Sequence, residues 1–346
     1  MTGHARARRR DRRVYLAGHP VLLALLAATR RRPVLRLGPV VLVHDEQACR
    51  QVLTGLPLDR LGAGTTGAAV AAAGGGGLFD QTGEQHRTAR RDLGVRLASR
   101  ELRAVWQAPI DRTAATLAGG GRVDLVALAA EVGGSTAAAV LDLDVDPLVL
   151  AAAARATADA TAAAHLPGRR ARPVPTTLTD LVGTAAAATT AVATVSTAVA
   201  AFPRAVAWTA DAGLWDAAAD PVRRTVLVAE LLRVTAASPL LPRVAAAEGE
   251  VAGCPVRRGD RMLLVTRHAA AAHVRNPSVA DPAAPAQQQL VFGAGGHACP
   301  GAGVARAQLG DLLAALAPSR PRVVSARADR RSALPSWASL VVEATR

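Results

Sequence analysis

The stretch Phe292-Gly-Ala-Gly295-Gly-His297-Ala-Cys299-Pro-Gly301 sets one thiol in a loop of four glycines, with a single histidine and no second cysteine nearby. An apolar pattern at helical spacing begins directly after it, through Val304, Leu309, Leu312, Leu313 and Leu316. Glycines let backbone N–H groups crowd around a sulfur and a helix N-terminus favours an anion, so both act to lower the thiol pKa. Such a lone thiolate suits the axial position of a haem iron. A rival reading uses the same residues, because Gly293, Gly295 and Ala298 satisfy G-x-G-x-x-G/A after a short apolar run, with a helix and the strand-like 322–325 behind them. That reading leaves too little chain to complete a nucleotide-binding sheet and gives Pro300 no role.

The 346 residues exceed the usual size of one core, which permits two domains or one large helical body. Strand-like alternation is confined to short pieces such as 34–43 and 261–265, so the expectation is a mainly α fold with small β-sheets: a single large helical domain with a minor N-terminal sheet region. Cys49, Cys254 and Cys299 are widely spaced and odd in number, which argues against a disulfide framework and against a C-x-x-C zinc site and suits a reducing cytoplasm. All 41 basic residues are arginine, and the formal charge is +14. Coding bias toward Ala, Arg and Gly accounts for that charge. With aromatic residues at 2% there is almost nothing to stack on bases, so nucleic acid is not an expected partner.

The basic run 6–13 reads as a solvated, disordered tail over 1–13, leaving 14–346 as one domain. No membrane partner is expected: the apolar run 21–28 is short and flanked by arginines, and the charge-free stretch 181–202 carries six hydroxyl residues among its alanines. Further along the chain, 34–43 turns at Gly38-Pro39 as a hairpin, 46–53 is a small helix, and 71–77 is low-complexity and flexible. Helices are expected over 101–117, 124–140 and 148–164, with a Pro/Gly/Arg-rich connector over 167–175 and a long helix over 178–202 stopped by Pro203. His86 and Arg90 share one helix face by i,i+4 spacing, and Glu230 and Arg233 form an i,i+3 pair on another helix.

The cysteine loop matches F-G-x-G-x-H-x-C-x-G at every fixed position and so resembles the haem-binding signature of the cytochrome P450 superfamily. The resemblance extends over most of the chain from about Gly18. It implies haem b (iron protoporphyrin IX), with Cys299 as the metal ligand and Phe292, Gly293, Gly295, His297 and Gly301 around it. It implies that His86, Arg90 and Arg243 bind haem propionates, that Glu230 and Arg233 are structural, and that Thr189 and Thr190 organise oxygen and water on the distal helix. The segment 71–77 falls where the family places a variable loop over the substrate pocket.

Two departures from the family pattern matter. The usual A-G-x-[DE]-T aligns with Ala185 to Thr189, so Ala188 stands where an acid normally helps deliver protons, and no arginine occurs from 276 to 292 to complete the Glu230–Arg233 pair. The implied activity is monooxygenation or oxidation of a small organic molecule in bacterial secondary metabolism, fed by an acidic ferredoxin-type donor. The short 146–179 region leaves the pocket open to a large or carrier-tethered substrate. A catalytically degenerate auxiliary protein that stabilises a glycosyltransferase, and an NAD(P)-dependent oxidoreductase, are the alternatives.

Overall fold

The computed structural model describes residues 2–72, 74–165, 176–332 and 334–345. The connector expected over 167–175 lies outside these residues. In chain order the helices are α1 Gly3–Gly18, α2 Pro20–Thr29, α3 Glu46–Gly55, α4 Thr66–Ala72, α5 Gly83–Leu97, α6 Glu101–Ala118, α7 Leu125–Leu141 and α8 Pro147–His165. They continue as α9 Thr177–Val182, α10 Ala185–Ala212, α11 Trp215–Ala219, α12 Pro221–Val234, α13 Thr266–Ala269, α14 Pro285–Gln289 and α15 Ala302–Leu316. The strands are β1 Val34–Leu37, β2 Val40–Val43, β3 Leu58–Asp59, β4 Arg122–Asp124, β5 Leu241–Ala245, β6 Gly249–Val251, β7 Cys254–Val256, β8 Arg261–Leu264, β9 Arg322–Ala328 and β10 Trp337–Glu343. The expectation of a mainly helical chain with small sheets holds.

A main core gathers the apolar faces of α6, α7, α10, α12 and α15. On α10 the buried positions Ala188, Ala191, Val195, Ala198 and Phe202 recur at three- and four-residue intervals, so a run of alanine, threonine and valine still yields one continuous apolar stripe. Small residues let the helices approach closely: a Cβ at Gly133 of α7 would stand 2.9 Å from the Val195 Cα. By length and hydropathy α10 could cross a membrane, but this stripe is covered by protein.

The hairpin at Gly38 forms as expected, with Val34 paired to Val43 and Leu37 to Val40, and Gly38 supplies the positive φ of +59° that the turn requires. It is one side of a five-stranded sheet of order β1-β2-β8-β5-β3, which carries a second, smaller core against α3. The three-stranded sheet β4-β10-β9 was not anticipated, because two of its strands lie far down the chain from the third.

Two helical expectations are corrected. The long helix is interrupted at Gly183, whose φ of +80° ends α9, and restarts with Thr184 as N-cap, its hydroxyl accepting from the Ala187 N–H at 3.1 Å. It then passes through Pro203 instead of stopping there. A proline removes one backbone hydrogen bond, but residues 198–209 are buried throughout, and that packing outweighs the loss.

The second correction concerns 1–13, which is not a disordered tail. It is most of α1, and its partners are long-range. Asp11 is buried between Arg204 of α10 (2.7 Å) and Arg267 of α13 (3.5 Å). Tyr15 lies under both guanidinium groups, at 4.9 and 4.1 Å from its ring centroid, and its hydroxyl accepts from Arg204 at 2.6 Å. Burial works against the Arg204 charge, but Asp11 and Tyr15 outweigh it and hold the guanidinium above its ordinary value. Arg10 adds an ion pair with Asp211 at 2.6 Å, and Arg8 donates to Asn276.

Candidate functional site

The cysteine loop is shaped by its glycines. Gly293 and Gly295 take φ values of +79° and +71°, which L side chains rarely adopt, and between them the chain reverses so that the Cys299 N–H donates to the Phe292 carbonyl at 2.7 Å. A Cβ at Gly295 would stand 3.1 Å from the Leu53 carbonyl at the end of α3, so the loop is seated against the smaller core. α15 starts at Ala302, directly after Gly301. The apolar run 290–292 is a 3₁₀ turn, not a strand, and β9 pairs antiparallel with β10, so the parallel βαβ unit of a dinucleotide site is absent here.

Of the three free thiols, Cys49 is buried and pushed up to about 12 by burial and nearby carboxylates, Cys254 is half-buried, and Cys299 is exposed. The expected acidification of Cys299 is not the net result. Protein packed around the sulfur raises its pKa, and this outweighs the Gly301 N–H, Arg90 and Arg306, each of which lowers it. A coordinated metal would act in the opposite direction and lower it.

Around this loop three separate segments deliver basic groups: α5, β5 and the stretch after β3 that carries Arg60. From α5, Arg90 donates to the Ala298 carbonyl at 2.6 Å, and the buried His86 ring lies 3.9 Å from the His297 ring, tilted by 31°. His297 is pushed down to about 4 by burial, then by Arg60, His86, Arg243 and Arg90. His86 is lowered as well, by burial and by Arg90, Arg60 and Arg87. From β5, Arg243 is pushed down to about 10 by burial and Arg60; its NH1 donates to the Pro242 carbonyl at 2.7 Å, while its buried Nε has no acceptor.

The sequence-predicted group of His86, Arg90, Arg243, His297 and Cys299 is therefore brought together, and Arg60, which the sequence places only in the N-terminal sheet region and gives no site role, belongs with it. A concentration of cations with an orphaned buried donor fits a ligand that brings its own carboxylates. The two propionates of haem meet that description, and an exposed thiol beside them meets the need for an axial ligand. Phe292 sits at the loop entrance with Arg306 stacked over its ring at 4.7 Å.

Glu230 and Arg233 are fully buried on α12 and joined by two hydrogen bonds of 2.9 and 2.7 Å. The arginine missing from 276–292 is replaced by a neutral donor: Gln288 Nε2 reaches Glu230 at 3.0 Å, and the Ala283 and Ser278 N–H groups add bonds of 3.0 and 3.3 Å. Burial would raise the Glu230 carboxyl, but Arg233 and Gln288 outweigh it and hold it below its usual range. The segment ahead of the cysteine loop is thereby anchored without a second arginine. Periodicity gave no hint of this, since Gln288 sits 58 residues from its partner.

On α10, Thr189 and Thr190 are half-buried and spend their protons on their own helix, donating to the Ala185 and Ala186 carbonyls at 2.8 and 3.1 Å. Neither shares a described hydrogen bond with the cysteine loop. Ala188 faces the other way, into the main core. Ser196, two turns beyond Thr189 on the same face, was not singled out from sequence; its buried hydroxyl has no partner. The glycine-rich segment after α4 lies against the start of this helix, a Cβ at Gly74 falling 3.5 Å from the Ala185 Cβ.

No family model matches the sequence, and no curated protein matches it. Solved structures do. A mutant of P450 EryK of S. erythraea in complex with erythromycin B aligns at 22% identity over 94% of this chain and 96% of its own, with a TM-score of 0.70. P450 OxyD, involved in the biosynthesis of vancomycin-type antibiotics, aligns at 18% identity over 99% and 96%, with a TM-score of 0.69. P450BioI, in complex with an acyl carrier protein ligated to hexadec-9Z-enoic acid, aligns at 16% identity over 95% and 99%, with a TM-score of 0.67. Across nearly its whole length this chain therefore has the cytochrome P450 fold.

Proposed function

We propose that the chain is a haem-thiolate monooxygenase or oxidase acting on a small organic molecule. The observation that carries this reading is the exposed Cys299 thiol at the head of α15, flanked by His86, His297 and by Arg60, Arg90 and Arg243, which pair with no carboxylate among the described residues. Haem b held there would supply the reduction of dioxygen and the transfer of an oxygen atom. Every other task falls to the protein. Cys299 gives up its proton and offers the sulfur lone pair, while Arg90, Arg243 and the two histidines hold the carboxylate edge. Phe292 and Gly293 to Gly301 fix the loop. A protein with no haem would gain nothing from a buried guanidinium whose Nε lacks an acceptor, so the auxiliary role is not favoured.

On the distal side α10 carries no carboxylate before Asp211, and Thr189 and Thr190 already donate to backbone. Their lone pairs are left to accept hydrogen bonds from water or substrate. Protons must then arrive through water or from the substrate itself. We take the electron donor to be an acidic ferredoxin-type protein and the compartment to be a reducing cytoplasm, in keeping with three free thiols. A carrier-tethered substrate in secondary metabolism is in line with the OxyD and P450BioI likenesses.

The test is the absorbance spectrum of the reduced protein under carbon monoxide. A thiolate-ligated haem gives a strongly red-shifted Soret band, and Cys299→Ala should abolish it. A chain that stays colourless after incubation with hemin overturns the proposal.

A further inference from the structure

Arg60 enters the site through strand register. β3 and β5 run antiparallel with Leu58 opposite Ala245 and Asp59 opposite Val244. The pairing ends with that couple, and the residues that adjoin it are Arg60, in the bend that follows β3, and Arg243 on β5. Two like charges so placed repel each other and disfavour the pairing. The chain nevertheless fixes the arrangement. Just beyond Arg60 a Cβ at Gly62 would stand 2.6 Å from the Val244 Cβ, and one at Gly67 only 2.2 Å from the Arg60 carbonyl. That carbonyl also accepts from the Thr65 hydroxyl at 2.8 Å.

Among the described residues no carboxylate pairs with either arginine. The carboxylates that line a cavity of about 450 Å³ together with Arg60 are Asp59 and Asp80, which accept from the Leu61 and Gly76 backbone N–H groups at 2.9 Å each, the second Asp80 oxygen having no described partner. Burial holds Arg60 below its ordinary value, as it does Arg243, and no acid acts on either. The Arg243 Nε remains without an acceptor.

Resting on the haem reading above, we propose that Arg60 and Arg243 form a two-armed clamp for a carboxylate of the porphyrin, Arg60 being the arm to which the sequence assigns no role. Two guanidinium groups that repel each other when bare become favourable neighbours once an anion lies between them. The clamp therefore opposes the folded state without cofactor and supports it with cofactor.

The opposite signs give the experiment. In the full-length holoprotein, haem transfer to excess apomyoglobin is followed for the wild type, Arg60→Gln and Arg60→Lys. Arg60→Gln should lose haem about tenfold faster or more, the scale of one charge-assisted hydrogen bond, and Arg60→Lys should recover part of the difference. In the haem-free chain, thermal melting of Arg60→Gln should occur at a higher temperature than the wild type. Unchanged haem loss, or a haem-free variant that melts lower than the wild type as an ordinary structural arginine would, overturns the clamp. Failure of the underlying reading looks different, since the wild type itself would then take up no haem.

Discussion

The buried His44 and His268 and the half-buried His273 form a group beneath the N-terminal helices, with the His44 and His268 Nδ1 atoms 2.9 Å apart and the His268 and His273 rings at 4.6 Å between centroids. His44 Nε2 is held by the Thr29 hydroxyl at 3.1 Å. Burial, then His273, His44, Arg267 and Arg30, pushes His268 down to about 3; burial, Arg30, Arg267 and Arg8 push His273 down to about 4. The sign follows from proton counting. An unfolded histidine titrates near 6.5, so below that pH the unfolded chain binds protons that the fold refuses. Stability from these residues is complete above about pH 6.5 and is lost progressively as the pH falls toward the folded values. Chemical denaturation at pH 7, 6 and 5 should give a steadily falling midpoint, and His268→Asn should flatten that slope. A slope unaffected by the substitution would place the acid sensitivity elsewhere.

At the scale of one element, α10 separates what was readable in the sequence from what was not. Its existence and apolar stripe follow from periodicity, as do the hairpin at Gly38 and the cysteine loop, because each signal is local. Which residue of the stripe meets the core and which meets the pocket depends on how the helix is rotated, and that is set by α7. The alignment of Ala188 with the family's acid position thus carries a structural consequence: the side chain is 8% exposed and packs in the main core. Installing an acid there should not restore a proton relay. Ala188→Glu should instead destabilise the protein by about 2–4 kcal/mol, through a buried unpaired carboxylate and overpacking. Thr189→Ala, at a half-buried position bonded to its own helix, should cost less than about 1 kcal/mol. Denaturant midpoints of the two variants measure the difference, and equal losses would mean that the stripe is misjudged. Arg60 and Gln288 escaped the sequence reading for the complementary reason, since their partners lie on distant strands and loops and neither lies in a recurring pattern.

For the whole molecule, the informative error was to read charge as disorder. A run of arginines looks like a solvated tail, yet the one acid within it, Asp11, is 4% exposed and meets two arginines from the far half of the chain. Removing one partner of a buried ion pair leaves the other uncompensated, at a cost of about 3–5 kcal/mol. Asp11→Asn should lower stability on that scale, and deletion of residues 2–13 should lower it at least as much, both read by thermal melting. A deletion that melts with the full chain would return the segment to the status of a tail.

That docking has a temporal side. Asp11 and Arg204 are 193 residues apart in the chain. At ribosomal rates of about 5–20 residues per second, α1 waits about 10 to 40 s after emerging before its counterion exists. A helix with six arginines and few apolar residues is well suited to that delay, because it can remain hydrated without recruiting the wrong neighbour. The residues of α1 are thus among the last to find their place, and translation speed between α1 and α10 becomes a variable in how much correctly assembled protein results.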